Sequence, residues 1–453
     1  MILGIWAGKL TQLLLRLLKR RGTSLPGLVA LKVAPHLLRT LGKQLESCIL
    51  VTGTNGKTTT VSLLREILRH DPEHIWISNA EGANMTQGIT ACFLQACNVF
   101  GRLKAKHAVL EVDEATMPQV VPYLPVTHVV ITNVFRDQLD RYGEVDGTIQ
   151  KLIQALQDAS VHLIANGDDP LVHYVAMQTN CRTSYYAMEA HSRILKQHQQ
   201  IRDGAFCLYC GHELEYEYFH YGQMGLYRCP HCDFAAPVPM FRGMPQQEGL
   251  EIRTDEQEFL LRTHIRGLYN KYNVLAAASA ALLQEIGAEG IQKGISAYQP
   301  MQGRMQIFTG TPLRILNLIK NPTGCNSVLQ TIDEDPGRKT VCVAINDYDA
   351  DGRDVSWLWD SDFETYAPGL QAKRFICSGT RAGDMAVRLK YAGIDPALIT
   401  VEPNLKSAHD LAIQDTNLPA YFMTTYTALF PMQQIIEEGL KHDEKTPHRA
   451  LIS

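Results

Sequence analysis

The sequence of 453 residues contains no run of the eighteen or more apolar residues that a membrane-spanning helix requires. No small-residue cleavage site follows its first apolar stretch, which Lys9 and Arg16 interrupt, so a secretory signal is not expected. Charge is sparse too. Asp, Glu, Lys and Arg make up 20% of the chain and the formal net charge is −4, which excludes a nucleic-acid coat and fits a soluble, cytoplasmic protein. Acidic residues are missing from the first 45 positions, where eight Lys or Arg occur before Glu46. No cysteine sits in a nucleophile-elbow sequence, so the chain is not expected to hydrolyse glutamine itself.

The most informative stretch is Val51-Thr52-Gly53-Thr54-Asn55-Gly56-Lys57-Thr58-Thr59-Thr60. The apolar run Cys48 to Val51 predicts a buried strand ahead of it, and Val61, Leu64 and Leu68 predict an amphipathic helix behind it. Strand, glycine-bearing loop and helix together make a phosphate cradle. Gly53 and Gly56 permit the tight bend that aims N–H groups and the positive helix end at an anion. Lys57 would reach the outer phosphates and the Thr58 hydroxyl would ligate magnesium. The strict pattern has a glycine where this chain has Val51. Residues 53 to 59 are therefore the expected nucleotide-binding set.

Before the loop, Leu10, Leu13, Leu14, Leu17 and Leu18 share one helical face, largely opposite Lys9, Gln12, Arg16 and Arg20. Such a helix suits an anionic membrane surface, or packs on the main domain with its basic face solvated. After the loop, strands and helices alternate to about Pro300, the mark of a parallel sheet. Three strand-like runs end in polar residues, giving Glu111-Val112-Asp113-Glu114, Thr132-Asn133 and Asn166-Gly167-Asp168-Asp169-Pro170. A carboxylate at such an end, beside a phosphate loop, is well placed to hold magnesium.

Near 196–240 the alternation breaks. Cys207 and Cys210 are separated by eighteen residues from Cys229 and Cys232, the spacing of a four-cysteine zinc ribbon. Four sulfurs leave no open position, so the zinc should be structural, and the odd total of eleven cysteines argues for a reducing compartment. Glu213, Glu215 and Glu217 argue against nucleic acid as the ribbon's partner. The last 150 or so residues restart the strand–helix alternation without a GxGxxG fingerprint.

The loop at 52–59, Glu111-Val112, Thr132-Asn133, Asp137-Gln138-Leu139-Asp140, Asn166–Pro170, Asn270-Lys271-Tyr272-Asn273 and Gly303-Arg304 resemble, in that order, the motifs of the Mur ligases. The ribbon, the short N-terminus and the stretch from Asp351 to Trp359 look like one branch of that family, the synthetase subunit of a lipid II isoglutaminyl synthase. The resemblance implies an α/β chain with a Mur-ligase-like central ATP-binding domain over 46–305, with parallel sheet and ribbon insertion. A basic segment, 1–45, precedes it and a Rossmann-like α/β domain, 306–453, follows. It implies ATP-dependent amidation of the D-glutamate α-carboxylate of the lipid II stem peptide, with ammonia from a GatD-like glutaminase subunit. Lys57 and Thr58 resemble the phosphate and magnesium residues, Glu111 the magnesium carboxylate, Asn270 the adenine-side asparagine and Arg304 the phosphate-contacting arginine.

Departures occur at Gln138, where family members usually carry histidine, and at Lys320, in place of a histidine before Asn321-Pro322. Lys151 is only a loose counterpart of the family's carbamylated lysine. The loop also begins too early for the uridine-nucleotide domain of typical members, which points to a lipid-linked substrate at the inner face of the membrane. The alternative is a stand-alone amide ligase of the folylpolyglutamate-synthase kind. Asp347, Asp349, Asp351 and Gly352 match an EF-hand opening, but Leu358 stands at the twelfth position. The resemblance implies that an aspartate here orients the partner's catalytic histidine; Asp354 is assigned, with Asp351 and Asp360 as alternatives.

Overall fold

A computed structural model of the chain describes all residues except 19–22, 71–74, 80–82, 137–144, 192–201, 301–302 and 446–453. The Asp137–Asp140 motif with Gln138, the basic residues Lys19, Arg20 and Arg21, and the start of the ribbon insertion lie outside the described residues. Two compact units are present, one formed by Met1–Phe135 with Glu144–Tyr298 and the other centred on Gln299–Ser453.

The first unit is built on a nine-stranded sheet. Its strands are β1 (Ser47–Thr52), β2 (Trp76–Ser78), β3 (His107–Glu111), β4 (Val126–Ile131), β5 (His162–Asn166), β6 (Arg182–Met188), β9 (Phe241–Gln246), β10 (Gly249–Arg253) and β11 (Glu258–Arg262). Their spatial order is β11-β10-β9-β6-β5-β4-β1-β3-β2. The intervening β7 (Glu215–Tyr221) and β8 (Met224–Arg228) form a separate antiparallel hairpin. β1 lies inside the sheet, between β4 and β3, and is buried on both faces, which is why Cys48 to Val51 reads as an unbroken apolar run. Alternate residues serve opposite layers. Ile49 and Val51 join α4 (Lys57–Leu68) and the helix Leu268–Leu282 on one side, while Cys48 and Leu50 face the other core. Ala276, Ala277, Ala280 and Ala281 are all buried, so small side chains line the second of those helices where it covers the sheet.

The sheet is mixed, where a parallel one was expected. β9 runs parallel to β6, but β10 and β11 add an antiparallel edge. Short charged strands with a two-residue turn read weakly in sequence and escaped the helix–strand alternation. The ribbon holds one hairpin, β7–β8, flanked by two cysteine turns.

Three short helices, α1 (Ile2–Leu17), α2 (Leu25–Val33) and α3 (Leu37–Gly42), belong to the same unit and pack near α5 (Thr86–Ala96). Small residues make the seams. A Cβ on Gly27 of α2 would lie 1.8 Å from the carbonyl oxygen of Gln87, and one on Gly4 of α1 would lie 2.6 Å from the Cβ of Ala34. The leucines of α1 are left outside, the reverse of the expected packing arrangement.

The second unit carries a six-stranded sheet of β12 (Gln306–Phe308), β13 (Arg314–Leu318), β14 (Lys339–Ala344), β15 (Ala372–Ser378), β16 (Ile399–Val401) and β17 (Ala420–Thr424), in the order β12-β13-β17-β14-β15-β16. All neighbours are parallel except β12 and β13, so the unit is a doubly wound α/β sheet with one reversed edge strand.

Two glycines test the seams. Gly27→Val should lower stability by about 1–3 kcal/mol, because the added carbons have no room against Gln87. Gly147→Ala, at an exposed helical position with nothing within 4 Å, should raise it by about 0.5–1 kcal/mol. Thermal unfolding of both variants checks the pair; a neutral Gly27→Val would contradict the packing.

Candidate active site and metal centre

β1 ends in the loop at Gly53–Gly56 and α4 starts immediately after it. Gly53 has φ +122° and Gly56 φ +90°, values that side-chain-bearing residues rarely adopt. Space is missing as well. A Cβ on Gly53 would sit 2.3 Å from Thr132 Oγ1, and one on Gly56 would sit 2.1 Å from Asn273 Oδ1. Both glycines are therefore fixed by conformation and by crowding.

The crowding comes from a clamp. At the end of β4, Asn133 accepts hydrogen bonds from Thr54 N at its carbonyl (3.0 Å) and from Asn55 N at Oδ1 (2.8 Å). Its Nδ2 donates to Asn55 O at 2.9 Å, and Thr132 Oγ1 donates to the same oxygen at 2.8 Å. Thr54 Oγ1 donates to Phe135 O at 3.0 Å. The loop backbone is thus held at two consecutive residues, Thr54 and Asn55, from the end of the neighbouring strand. α4 begins at Lys57 with no side-chain cap, leaving its first-turn N–H groups and positive dipole end directed at the loop.

Lys57 is folded back. Its Nζ donates to Gly53 O and lies 3.1 Å from Glu114 Oε1, with both side chains more than nine-tenths buried. The expected reach was towards the outer phosphates; here Glu114, at the end of the Glu111–Glu114 run, holds Lys57. No local sequence signal distinguishes Glu114 from its acidic neighbours.

Glu111 ends β3 directly opposite Val51, so it stands beside the loop. Its Oε1 accepts from Asn84 Nδ2 at 3.0 Å, whereas Oε2 is buried without a hydrogen-bond partner. A buried carboxylate oxygen left in that state suits a cation. Thr58 is half-exposed on the first turn of α4 and Thr59 is buried. Asn270 is buried near the start of its helix, donating to Arg266 O and accepting from Asn273 Nδ2, the residue that crowds Gly56. Arg304 belongs to the C-terminal unit, in a turn pinned by Leu318 N donating to Gly303 O and Met305 N donating to Asn317 Oδ1.

The third polar strand end has a different role from the first. Asp168 accepts from Met188 N (2.8 Å) and from Tyr272 Oη (2.6 Å), and Asp169 from Val134 N (2.8 Å) and Leu171 N (3.0 Å). Burial pushes the Asp168 carboxyl up to about 7 and that of Asp169 up to about 6. These residues brace the sheet from inside. Gln223, at the tip of the β7–β8 hairpin, completes the brace by donating to Val134 O and Asp169 Oδ1 at 2.8 and 2.7 Å. Nothing in the Gly222-Gln223 turn announced that function.

Cys207, Cys210, Cys229 and Cys232 converge in the same hairpin region, with their sulfurs all within 4.8 Å of one another. Individual Sγ···Sγ distances are 3.6 Å (207–232), 3.3 Å (210–229) and 3.7 Å (210–232). Four thiolates about 2.3 Å from one zinc would be about 3.8 Å apart, so the sulfurs stand close to a tetrahedral site. Among the described residues no other cluster of Cys, His, Asp and Glu has metal-site geometry, which removes the calcium-loop reading of Asp347–Leu358.

Within that stretch the three aspartates differ. Asp351 is buried and accepts from Thr427 N and Thr427 Oγ1. Asp360 is half-buried. Asp354 is exposed, and the N–H and hydroxyl of Ser356 hold its carboxyl below the usual carboxylate range.

Comparison with known proteins agrees with this layout. Residues 51–227 match the Mur ligase middle domain and residues 318–429 the MurT ligase C-terminal domain. Over 442 residues the chain is 34% identical to the lipid II isoglutaminyl synthase (glutamine-hydrolyzing) subunit MurT of Staphylococcus aureus strain COL, covering 96% of this chain and 98% of that protein. The MurT subunit of Streptococcus pneumoniae is 32% identical over 440 residues, covering 96% of each chain. The chain belongs to the MurT family of Mur ligases. It is accordingly an enzyme of the ligase class, from a family that uses ATP and Mg2+. Membership is echoed by the fold. A pseudomurein peptide ligase type C from Methanothermus fervidus superposes with TM-score 0.65 at 24% identity, covering 88% of this chain and 80% of that one. MurF from Acinetobacter baumannii superposes with TM-score 0.62 at 16% identity, covering 91% and 80%. No described helix is long and apolar enough to cross a membrane.

The four-sulfur cluster predicts about one zinc per chain by elemental analysis of the purified protein. Cys229→Ser should lose that metal and lower the melting temperature. A parent chain free of metal would refute the site.

Proposed function

We propose that the chain amidates the α-carboxylate of D-glutamate in the stem peptide of lipid II, spending ATP and taking ammonia from a glutaminase subunit. The reading rests on the near-full-length match to the MurT subunits, which are named as subunits of a glutamine-hydrolyzing lipid II isoglutaminyl synthase, and on the P-loop geometry. A carboxylate resists ammonia until one oxygen becomes a leaving group. Transfer of the γ-phosphoryl group to a carboxylate oxygen, with release of ADP, makes an acyl phosphate. Ammonia attacks the acyl carbon, phosphate leaves with that oxygen, and the nitrogen loses a proton to give the amide.

Residues 53 to 59 cradle the phosphates in this scheme. Lys57 leaves Glu114 for the phosphates as the nucleotide enters, exchanging one buried ion pair for another. Thr58 and the unpaired Oε2 of Glu111 fit a magnesium ion, which when bound neutralises charge on the phosphates. Asn270 on the adenine side and Arg304 on the phosphate are carried by the family resemblance. Zinc on the four cysteines has only a structural duty.

Asp354 takes the role of the acid that orients the glutaminase histidine. Its exposure and anionic character suit that duty, whereas Asp351 is buried against Thr427. Trp359 and Tyr391 stand exposed in edge contact, 5.7 Å between centroids, as aromatic anchors for the partner subunit.

Asp354→Asn should abolish amidation driven by glutamine and leave amidation driven by free ammonium within about twofold of the parent, whereas Lys57→Ala should abolish both. Both activities are read as amidated lipid II by mass spectrometry with the glutaminase present. Undiminished glutamine-driven turnover in Asp354→Asn would overturn its role, and ATP turnover persisting in Lys57→Ala would overturn the loop assignment.

A further inference from the structure

α1 is turned against its own sequence pattern. Gly4, Ile5 and Gly8 are its buried residues, and a Cβ on Gly8 would lie 2.5 Å from the side chain of Leu94 in α5. On this inward side Lys9 Nζ donates to the carbonyl oxygens of Leu94 and Cys97, each at 2.7 Å, and Gln12 Nε2 donates to Ala91 O at 3.2 Å. Lys9 therefore satisfies acceptors at the C-terminal end of α5, where a cation also meets the negative dipole end. The charged residue expected in solvent is spent on the protein.

The leucines are left outside. Leu10, Leu13, Leu14 and Leu17 are 57%, 55%, 51% and 71% exposed, and Trp6 on the same helix is 51% exposed with its Nε1 donating to Val99 O. A row of large aliphatic side chains along one helix is more than scattered surface apolarity and marks a surface made to be covered. Charge indicates the cover. Among the described residues, positions 1–45 carry five Lys or Arg and no acid, and positions 83–110, which supply α5 and its following loop, carry Arg102, Lys104 and Lys106 and again no acid. Arg16, Lys32, Arg39 and Lys43 are exposed, while Lys106 pairs with Glu46. In a chain whose net charge is −4, this corner is a concentrated positive region.

We propose that this corner is a docking face for an anionic phospholipid bilayer, with α1 lying in the interface plane. The leucine row enters the acyl boundary and the surrounding cations meet lipid phosphates, the two attractions that together hold an interfacial helix. A protein partner would need acids matched to the basic residues and a groove matched to the leucines. A bilayer supplies both requirements without shape complementarity.

The test is co-sedimentation of the full chain with phosphatidylcholine vesicles made with and without phosphatidylglycerol. Binding should require phosphatidylglycerol and weaken as salt rises. The double variant Leu13→Glu/Leu17→Glu changes only exposed positions, so its melting temperature should match the parent while its partition coefficient falls about tenfold or more. Arg16→Glu/Lys32→Glu keeps every leucine and should fall by a similar factor. Parent protein that ignores phosphatidylglycerol vesicles, or leucine variants of unchanged melting that bind as the parent does, would overturn the proposal. So would a parent dimer that these variants dissociate, since a second copy would then be the cover. Neither ATP nor glutamine is present, so the outcome is independent of the ligase reading.

Discussion

The candidate nucleotide site depends on two residues at the end of β4. Thr132 and Asn133 together fasten the backbone of Thr54 and Asn55 through four hydrogen bonds, and in doing so press on Gly53 until no Cβ can fit. A phosphate loop is useful only if its N–H groups are already aimed before the anion arrives, since ordering a flexible loop at that moment would cost about 1–2 kcal/mol per residue. The clamp removes that cost by tying the loop to a strand whose own position is set by the sheet. Asn273 closes the other side, over Gly56, and links the loop to the alanine-rich helix behind it.

The ribbon joins the same frame from outside. Its hairpin tip delivers Gln223 to Val134 and Asp169, one residue beyond the clamp. Asp169 in turn accepts Val134 N, so the segment that carries Asn133 is fixed by a carboxylate and by an inserted side chain. A metal held by the four sulfurs would give this small hairpin the rigidity to keep Gln223 buried. Its duty would then be mechanical and would reach the loop at Gly53–Gly56 through Gln223 and Val134.

Local signals in the chain were readable and long-range ones were not. The P-loop and its flanking strand and helix are contiguous in sequence, so periodicity and glycine placement were enough to find them, and the cysteine spacing reported the ribbon for the same reason. The clamp joins residues 77 to 78 positions apart, and Glu114 meets Lys57 across 57, distances over which no pattern carries. The acids of Asn166–Pro170 looked like those of Glu111–Glu114 because both end strands and both are buried; hydrogen bonding separates a brace, Asp168 and Asp169 with their backbone N–H donors, from a candidate ligand, Glu111 with Oε2 unpartnered. α1 shows the opposite limit. Its helical wheel displays an apolar face plainly, but Gly4, Gly8 and Lys9 decide which face the protein takes, and small residues carry little weight in such a pattern. At Asp354 the sequence left three aspartates open, and one buried hydrogen-bond pair at Asp351 narrowed the choice.

The central claim is that a carboxylate oxygen of the substrate is phosphorylated at this loop before nitrogen arrives. Lipid II labelled with oxygen-18 in the D-glutamate α-carboxylate, incubated with the chain, ATP and ammonium, tests it most directly. Inorganic phosphate released during amidation should carry one labelled oxygen and the amide product should retain the other. Phosphate without label, alongside amidated product, would contradict an acyl phosphate and with it the chemistry assigned to Lys57 and its loop.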